Sequence, residues 1–326
     1  MLGIISPSNS PYHNLAAEEY LMRKFREDIF MLYRNTDSIV VGKHQNTMGE
    51  INLHYLKEKN IPVVRRLSGG GTVYHDLKNL NFSFIKTGEL GKLVDFKKFV
   101  APIIEFLLTK GIEAEAGSRH DILVNGKKFS GNAEHVFKDR ILHHGTLLFE
   151  SNLHALSRSI QVELDHFTDK SVKSNRSTVM NLKQLLPDSL SVEQFTSDLF
   201  EFLSQKYSNV IKYSFNEADL SAIDRLVEEK YKTWEWNFAY SPKYLFQKKS
   251  TIDGYSLFLK ATFEKARLRD LQIETEHPLF EEFNTYLHLF KGIRHDPSDF
   301  EEILISHDLE MISAKIDVKA LVNCYY

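Results

Sequence analysis

Arg65-Arg66-Leu67-Ser68-Gly69-Gly70-Gly71-Thr72-Val73-Tyr74-His75-Asp76 is the stretch of this 326-residue chain whose residue types could hold an anion. Three successive glycines give up more backbone entropy than an ordinary turn asks for. Such a run suits a place where the backbone approaches a ligand or takes positive φ. Its N–H groups can converge on a phosphate or carboxylate, and the neighbouring guanidinium pair suits the same charge. The competing reading is a Gly-rich hairpin turn with solvated arginines.

Asp121-Ile122-Leu123-Val124-Asn125-Gly126-Lys127-Lys128-Phe129-Ser130-Gly131 supplies a second charged position. Asn-Gly between apolar stretches predicts a two-residue type I′ hairpin turn. In the register that follows, Val124 faces Lys127, Leu123 faces Lys128, Ile122 faces Phe129 and Asp121 faces Ser130. Alternation puts Asp121, Leu123, Lys128 and Ser130 on one sheet face, with Ile122, Val124 and Phe129 on the core side. Lys128 is then mid-strand and diagonal to Asp121. Ser130, Gly131 and Ala133 leave room above it, which favours a site over a solvated edge lysine. His143-His144-Gly145-Thr146 sends two imidazoles to opposite faces, so one of them can line the same site.

The elements that must position these groups follow from periodicity. Asn14 is expected to cap a helix from Leu15 to about Arg26. Strands are expected at Ile29–Arg34, Ser38–Gly42, Pro62–Arg66 and Thr72–His75. Leu80-Asn81-Phe82-Ser83-Phe84-Ile85 alternates as a half-buried strand. Phe96, Phe99, Val100, Ile103 and Leu107 form a helical stripe closed by Gly111, with Pro102 as a kink or a later start. Glu134–Phe137 and Ile141–Phe149 read as a hairpin about Lys138-Asp139-Arg140. Ser191 and Gln194 form a capping-box pattern before a helix, and another helix is expected near Glu217–Tyr231. Composition shifts after Trp234-Glu235-Trp236-Asn237, and a domain boundary is placed at the polar Gln247-Lys248-Lys249-Ser250 stretch. This gives a domain of residues 1–243 and a second of residues 250–326. The second carries a hairpin about Asp253-Gly254, a helix through Phe280 and Phe290, and Asp296-Pro297 opening another helix.

Composition narrows the class. With 42% hydrophobic residues the chain can build a sizeable core, and a net charge of −3 without long blocks of one sign argues against bulk-charge binding of nucleic acid or membrane. Met1-Leu2-Gly3-Ile4-Ile5-Ser6 lacks the basic start and the apolar length of a signal peptide. The single cysteine, Cys324, excludes an intramolecular disulfide or a Cys-based zinc site. A reducing, cytoplasmic setting fits. There is no Walker A pattern, no dinucleotide fingerprint, no His-Glu-x-x-His and no nucleophile elbow.

In order and spacing, the Gly-rich segment, the Asn-Gly hairpin and His143-His144-Gly145-Thr146-Leu147-Leu148-Phe149 resemble the lipoate–protein ligases of the A type. Lys173-Ser174-Asn175-Arg176-Ser177-Thr178 is similar to that family's adenylate-covering loop. Trp234-Glu235-Trp236-Asn237 is similar to the motif closing its catalytic domain. Asn14-Leu15-Ala16 with Glu18-Glu19, and Val41-Gly42 with Gln45-Asn46, agree. Arg119-His120-Asp121 departs from the usual Arg-Asn-Asp. Cysteine-dependent octanoyl transferases and biotin ligases share parts of the fold. This chain lacks the catalytic-domain cysteine of the former and the Gly-Arg-Gly-Arg pattern of the latter.

The resemblance implies an α+β fold of the biotin/lipoate ligase kind: mixed, largely antiparallel sheets with flanking helices, plus a small C-terminal α+β accessory domain that repositions after adenylation. It implies that free lipoate and ATP give lipoyl-AMP, and that the lipoyl group moves to a lysine of an acceptor. The acceptors implied are apo lipoyl domains of 2-oxoacid dehydrogenase E2 subunits and the glycine cleavage H protein, with the ligase acting as a monomer. The alternatives are a transferase using pre-formed acyl-AMP or an acyl carrier, and a non-catalytic lipoyl-domain binder. By match, Lys128 bridges the lipoyl carboxyl group and the α-phosphate. Arg66, Gly71, Thr72, Val73, Tyr74, Asp121, Lys128 and Arg176 bind ATP or the adenylate. Arg66, Ser68, Gly69, Gly70, Gly71, His75, Lys128 and His144 bind lipoate. Asp121 is matched to Mg²⁺, and the lipoate tunnel is expected to be apolar.

Overall fold

The structure is a computed structural model that describes residues 1–88, 95–118, 120–160, 166–174, 177–305 and 315–325. The chain opens with β1 (Leu2–Ile5), α1 (Pro11–Lys24), β2 (Ile29–Tyr33), β3 (Ser38–Val41), α2 (Leu53–Glu58), β4 (Val63–Arg65), β5 (Val73–His75) and β6 (Asn79–Thr87). It continues with α3 (Phe96–Thr109), β7 (Glu115–Ala116), β8 (Asp121–Val124), β9 (Lys127–Phe137), β10 (Arg140–Leu148), α4 (Leu153–Ser159) and β11 (Phe167–Asp169). Next come α5 (Val192–Lys206), β12 (Ile211–Lys212), α6 (Glu217–Leu226), β13 (Tyr244–Ile252), β14 (Tyr255–Glu264) and β15 (Arg267–Thr275). The described chain closes with α7 (Phe280–Phe283), α8 (Pro297–Leu304) and α9 (Val318–Cys324).

Among the described residues, an eight-stranded sheet runs β12-β1-β2-β6-β10-β9-β8-β7, mostly antiparallel after the parallel pairs of β1. Phe30, Phe82, Phe84, Ile122 and Phe129 cover one face of it and pack on Val100, Ile103 and Phe106 of α3 and Phe195 and Leu199 of α5. Its other face meets α1 and α6 through Met31, Leu142, Leu15, Leu21 and Ile223, and meets the small β4-β3-β5 sheet through Val40 and Val64. β6 has the expected alternation, but both faces are buried: Asn79, Asn81 and Ser83 form a polar stripe with no more than 1% exposure. Polar residues at alternate positions therefore mark a second interior surface here, not solvent.

Local chemistry sets the element ends. Ser10 caps α1 by accepting the His13 N–H, and Pro11 occupies its first turn, where a missing N–H costs nothing. The expected cap, Asn14, is instead buried inside the helix, donating its amide to the carbonyls of Ser8 and Arg34. Asp95 caps α3, which begins at Phe96 and runs through Pro102, so the proline does not delay the start. Gly111 follows that helix with φ +76°. Ser191 caps α5, but Gln194 turns to Asp198 rather than completing a capping box. β9 serves both predicted hairpins, pairing with β8 on one side and β10 on the other.

β13, β14 and β15 form a four-stranded sheet with β11, which joins from well ahead of them in the chain. Phe246, Leu259, Phe263, Phe283, Phe300 and Tyr325 make its core, and Met48 and Phe167 pack into the same cluster. Gln247-Lys248-Lys249-Ser250, read as a boundary from its polarity, is the middle of β13. Those residues pair with Lys260, Leu259, Phe258 and Leu257, and the ladder supplies the order that the composition did not suggest. No described helix is long and apolar enough to cross a membrane.

Candidate active site

β4 delivers Arg65 and Arg66 to the start of the glycine run, and β5 receives it. Of the three glycines only Gly70 takes positive φ, +85°. Its carbonyl oxygen lies where a side chain on Gly42 would begin, 2.1 Å from an added Cβ, so Gly42 is required for the approach of the two segments. Neither arginine is left for an anion in the way expected. Arg66 donates to the carbonyls of Val40 (3.0 Å), Gly69 (2.7 Å) and Gly71 (2.7 Å) and to Ser68 Oγ (3.0 Å). Arg65 donates to the carbonyls of Gly42, Lys43, Gln45, Trp236 and Asn237. A buried guanidinium must be saturated with acceptors, and carbonyls of the loop and of the Trp236-Asn237 turn supply them. Burial pushes both arginines down to about 10.

The Asn125-Gly126 turn has both residues at positive φ, as a type I′ turn requires. Its register holds for Val124–Lys127 and Leu123–Lys128, then slips: Ile122 pairs with Ser130 and Asp121 with Gly131. The extra residue is Phe129, a bulge that keeps the ring in the core while re-aiming the strand beyond it. Lys128 lines the cavity together with Asp121, as expected from the alternation. Its ammonium makes no hydrogen bond or ion pair with any described residue. Burial, helped by Arg66, lowers its pKa, and Asp121 pulls the other way. Its backbone is fixed on the far side: Lys128 N donates to Thr178 O, and Met180 N donates to Lys128 O. Gly131 leaves the room that Lys128 occupies, because an added Cβ would stand 3.2 Å from both Cε and Nζ.

Two cavities meet at Lys128. The inner one, about 340 Å³, has a floor of cross-strand neighbours: Tyr33, Asn81 and Thr146 in one row, with His144 and Ala133 in the next. Arg66, Gly70, Gly71 and His75 close it from the glycine loop. The other, about 990 Å³, runs past Tyr74, Leu148, Leu153, Leu156, Arg158 and Val179. Thr72, Val73, Lys128, Gly131, Thr146 and Ser177 belong to both. The inner wall mixes Leu15, Val40 and Ala133 with buried polar groups, so it is not the purely apolar tunnel expected. His144 Nδ1 meets Glu18 at 2.9 Å and its Nε2 meets Ser68 Oγ at 2.6 Å, while Tyr33 OH donates to Glu18 at 3.0 Å. Ser68 thus touches the site through His144. His143 points into the opposite core, stacked 4.9 Å from Phe99. Gly69 does not line either cavity, and Arg176 lies outside the described residues.

A second network fastens segment 169–174 to the glycine loop. Ser174 Oγ accepts from the Thr72 N–H (2.8 Å) and Gln45 Nε2 (3.0 Å) and donates to Glu50. Gln45 Oε1 accepts from Gly42 N (2.8 Å) and Thr72 Oγ1 (3.0 Å). Burial raises the Glu50 pKa. Sequence reasoning gave Glu18, Glu50, Asn81 and Ser174 no separate role. The signal that could have found Asn81 is the run of three polar residues on one face of a strand whose other face is aromatic.

Residues 10–204 match the family model for the lipoyl protein ligase A/B catalytic domain. The lipoate-protein ligase LplJ of Bacillus subtilis is 40% identical over 269 residues, 81% of this chain and 81% of its own length. A lipoate protein ligase of T. acidophilum, solved with lipoic acid bound, is 26% identical with a TM-score of 0.62 over 73% of this chain and 98% of that one. A lipoate-protein ligase A solved with ATP is 25% identical, with a TM-score of 0.62 over 73% of this chain and 99% of that one.

Proposed function

This chain belongs to the lipoyl protein ligase A/B catalytic-domain family, and from that premise we propose that its two joined cavities divide the work of an ATP-driven ligation. The protein is a lipoate–protein ligase. Lipoate and ATP give lipoyl-AMP and pyrophosphate, and the lipoyl group then passes to the ε-amine of a lysine on an acceptor lipoyl domain.

The observation that carries the assignment of parts is the Lys128 ammonium, without a hydrogen-bond or ion-pair partner among the described residues, at the junction of the cavities. A carboxylate oxygen attacking the α-phosphorus sets negative charge against negative charge. A fixed cation between the two lowers that barrier and holds them in line. We assign the inner cavity to lipoate, with its carboxylate toward Lys128, and the larger one to the nucleotide. Thr72, Val73 and Tyr74 border the nucleotide, and Gly70 and Gly71 form the wall between the subsites. Arg66 acts by holding that wall in shape, since its donors are taken by carbonyls.

In the second step the acceptor amine attacks the acyl carbonyl and AMP leaves, with Lys128 again facing the departing phosphate. No cluster of three or more acidic, His or Cys side chains suited to a metal exists among the described residues. Asp121, a single carboxylate lining the inner cavity, would face a Mg²⁺ held mostly by nucleotide phosphates and water, where the ion would offset phosphate charge. The E2 lipoyl domains and the H protein are the acceptors we assign, and the cytoplasm the setting. The unit beginning at β13 is the part proposed to shift between half-reactions.

The test is direct. Incubate the protein with ATP, Mg²⁺, lipoate and an apo lipoyl domain, and weigh the acceptor. A gain of one lipoyl group that requires both ATP and lipoate is expected. An unmodified acceptor contradicts the reading.

A further inference from the structure

Glu50 is a carboxylate only 4% exposed, and among the described residues its hydrogen-bond donors are neutral groups of Ser174. Lys173, whose charge also acts on it, is paired with Asp169 at 3.0 Å instead. Burial, the strongest influence, pushes the Glu50 pKa up, against the Ser174 donors and Lys173, which pull it down. A charge kept in the interior without a paired cation adds little to the stability of a fold, so its use lies in what it holds. Glu50 lines neither cavity. It reaches the inner one through Ser174, which forms a wall of that cavity with Val172 and Lys173.

The contacts around Ser174 fix the direction of each bond. Gly42 N donates to Gln45 Oε1 at 2.8 Å, so the other end of that amide, Nε2, donates to Ser174 Oγ at 3.0 Å. The Thr72 N–H donates to the same oxygen at 2.8 Å. Both lone pairs of the hydroxyl are then taken, and its proton goes to Glu50 Oε2. Glu50 Oε1 accepts the Ser174 N–H at 3.3 Å. The ionised carboxylate thus offers one acceptor to each donor of Ser174, whereas a glutamine amide would turn its own donor on one of them whichever way it faced. The rest of the segment is pinned to the same strip of chain. His44 O accepts the Val172 N–H at 3.3 Å, and Asn46 Nδ2 donates to Asp169 at 2.9 Å. The seat on the glycine loop is close: a Cβ added at Gly71 would stand 3.1 Å from Ser174 Oγ.

We propose, on the ligase reading, that Glu50 is a positioning residue which, through Ser174, clasps residues 169–174 against the glycine loop and so keeps the acyl-adenylate in the site until an acceptor arrives. An activated acyl group has to be held away from water between the two half-reactions. The clasp fixes a wall of the cavity while keeping its own charge out of the cavity.

The experiment loads the protein with labelled lipoate and ATP in the absence of acceptor, desalts it, and follows the ATP-dependent label that stays on the protein. Glu50→Gln should lose this label about tenfold faster than the wild type or more, as expected when a hydrogen bond to a charged group is lost. Its melting temperature should be no lower than that of the wild type, because a buried charge has been removed. Ser174→Ala should also lose label about tenfold faster, and the double variant should be no faster than the quicker single one, since the two residues act as a unit. Wild-type retention in Glu50→Gln or in Ser174→Ala overturns the inference and leaves the ligase assignment standing. Escape rates that multiply in the double variant overturn it too, as does a Glu50→Gln protein that melts well below the wild type, which would make the residue structural. A wild type that keeps no ATP-dependent label and catalyses no lipoate-dependent pyrophosphate exchange removes the ligase assignment and the inference with it; exchange without retention overturns the inference alone.

Discussion

Lys128 depends on the absence of a methyl group three residues away. An alanine at Gly131 would place Cβ 3.2 Å from Cε and Nζ, closer than carbon and nitrogen settle without one of them moving. The lysine tip is the mobile partner, so Gly131→Ala should displace the ammonium and spare the fold. Adenylation should fall by about tenfold or more, because sub-ångström misplacement of a positioned charge is felt in rate, while the melting temperature stays put. Unchanged turnover would show that the position of Nζ is not critical. At this scale the alternation argument placed Lys128 and Asp121 correctly, because the side-chain period of a strand survives a bulge nearby. The reading of Arg65 and Arg66 from residue type, as guanidinium groups free for an anion, did not hold. Residue type shows that a guanidinium can bind an anion, but not that loop carbonyls will have consumed its donors first.

The glycine loop is legible as an element that needs glycine, but not as to which glycine. Only Gly70 has a left-handed backbone, and an added Cβ there would meet Arg66 Nη2 at 3.1 Å. Gly70→Val therefore carries backbone strain of roughly 1–2 kcal/mol and presses on the guanidinium that shapes the cavity wall. Calorimetric titration should find lipoate binding lost, with thermal denaturation shifted only modestly. Lipoate binding at wild-type affinity would make the loop an ordinary turn. The Asn-Gly turn was readable because two positive-φ residues in a row have a short list of candidates. The Phe129 bulge was not, because it is set by how the β8–β9 hairpin meets α3 and residues 178–180. β6 shows the same limit: its polar face looked solvent-facing until two more elements were laid across it.

Across the whole molecule, buried imidazoles are held neutral in separate places, His75 and His295 among them. His75 sits beside the inner cavity, and His295 sits in the C-terminal core against Phe263 at 4.1 Å. Burial pushes them down to about 3 and about 4 respectively. The folded state then binds fewer protons than the unfolded chain below the ordinary histidine pKa of about 6.5, so stability is complete above it and falls as pH drops toward 4. Urea unfolding should find the protein weaker at pH 5 than at pH 7.5 by about 2 kcal/mol for each ring. A flat profile would mean that the rings are not buried as described. The fold class was legible from motif order. The joining of β11 to the C-terminal sheet was not, because strand pairing between distant segments leaves no periodic trace.

The role proposed for Lys128 is to promote formation of an acyl-adenylate between the two cavities. Lipoate-dependent exchange of labelled pyrophosphate into ATP, with no acceptor present, measures that step alone. Exchange is expected in the wild type, with a loss of about 10²–10³ in Lys128→Ala as for removal of one preorganised charge, and little change in Lys127→Ala, whose side chain is solvent-exposed. Exchange at the wild-type rate in Lys128→Ala, or none in the wild type while supplied lipoyl-AMP is still transferred, would contradict it.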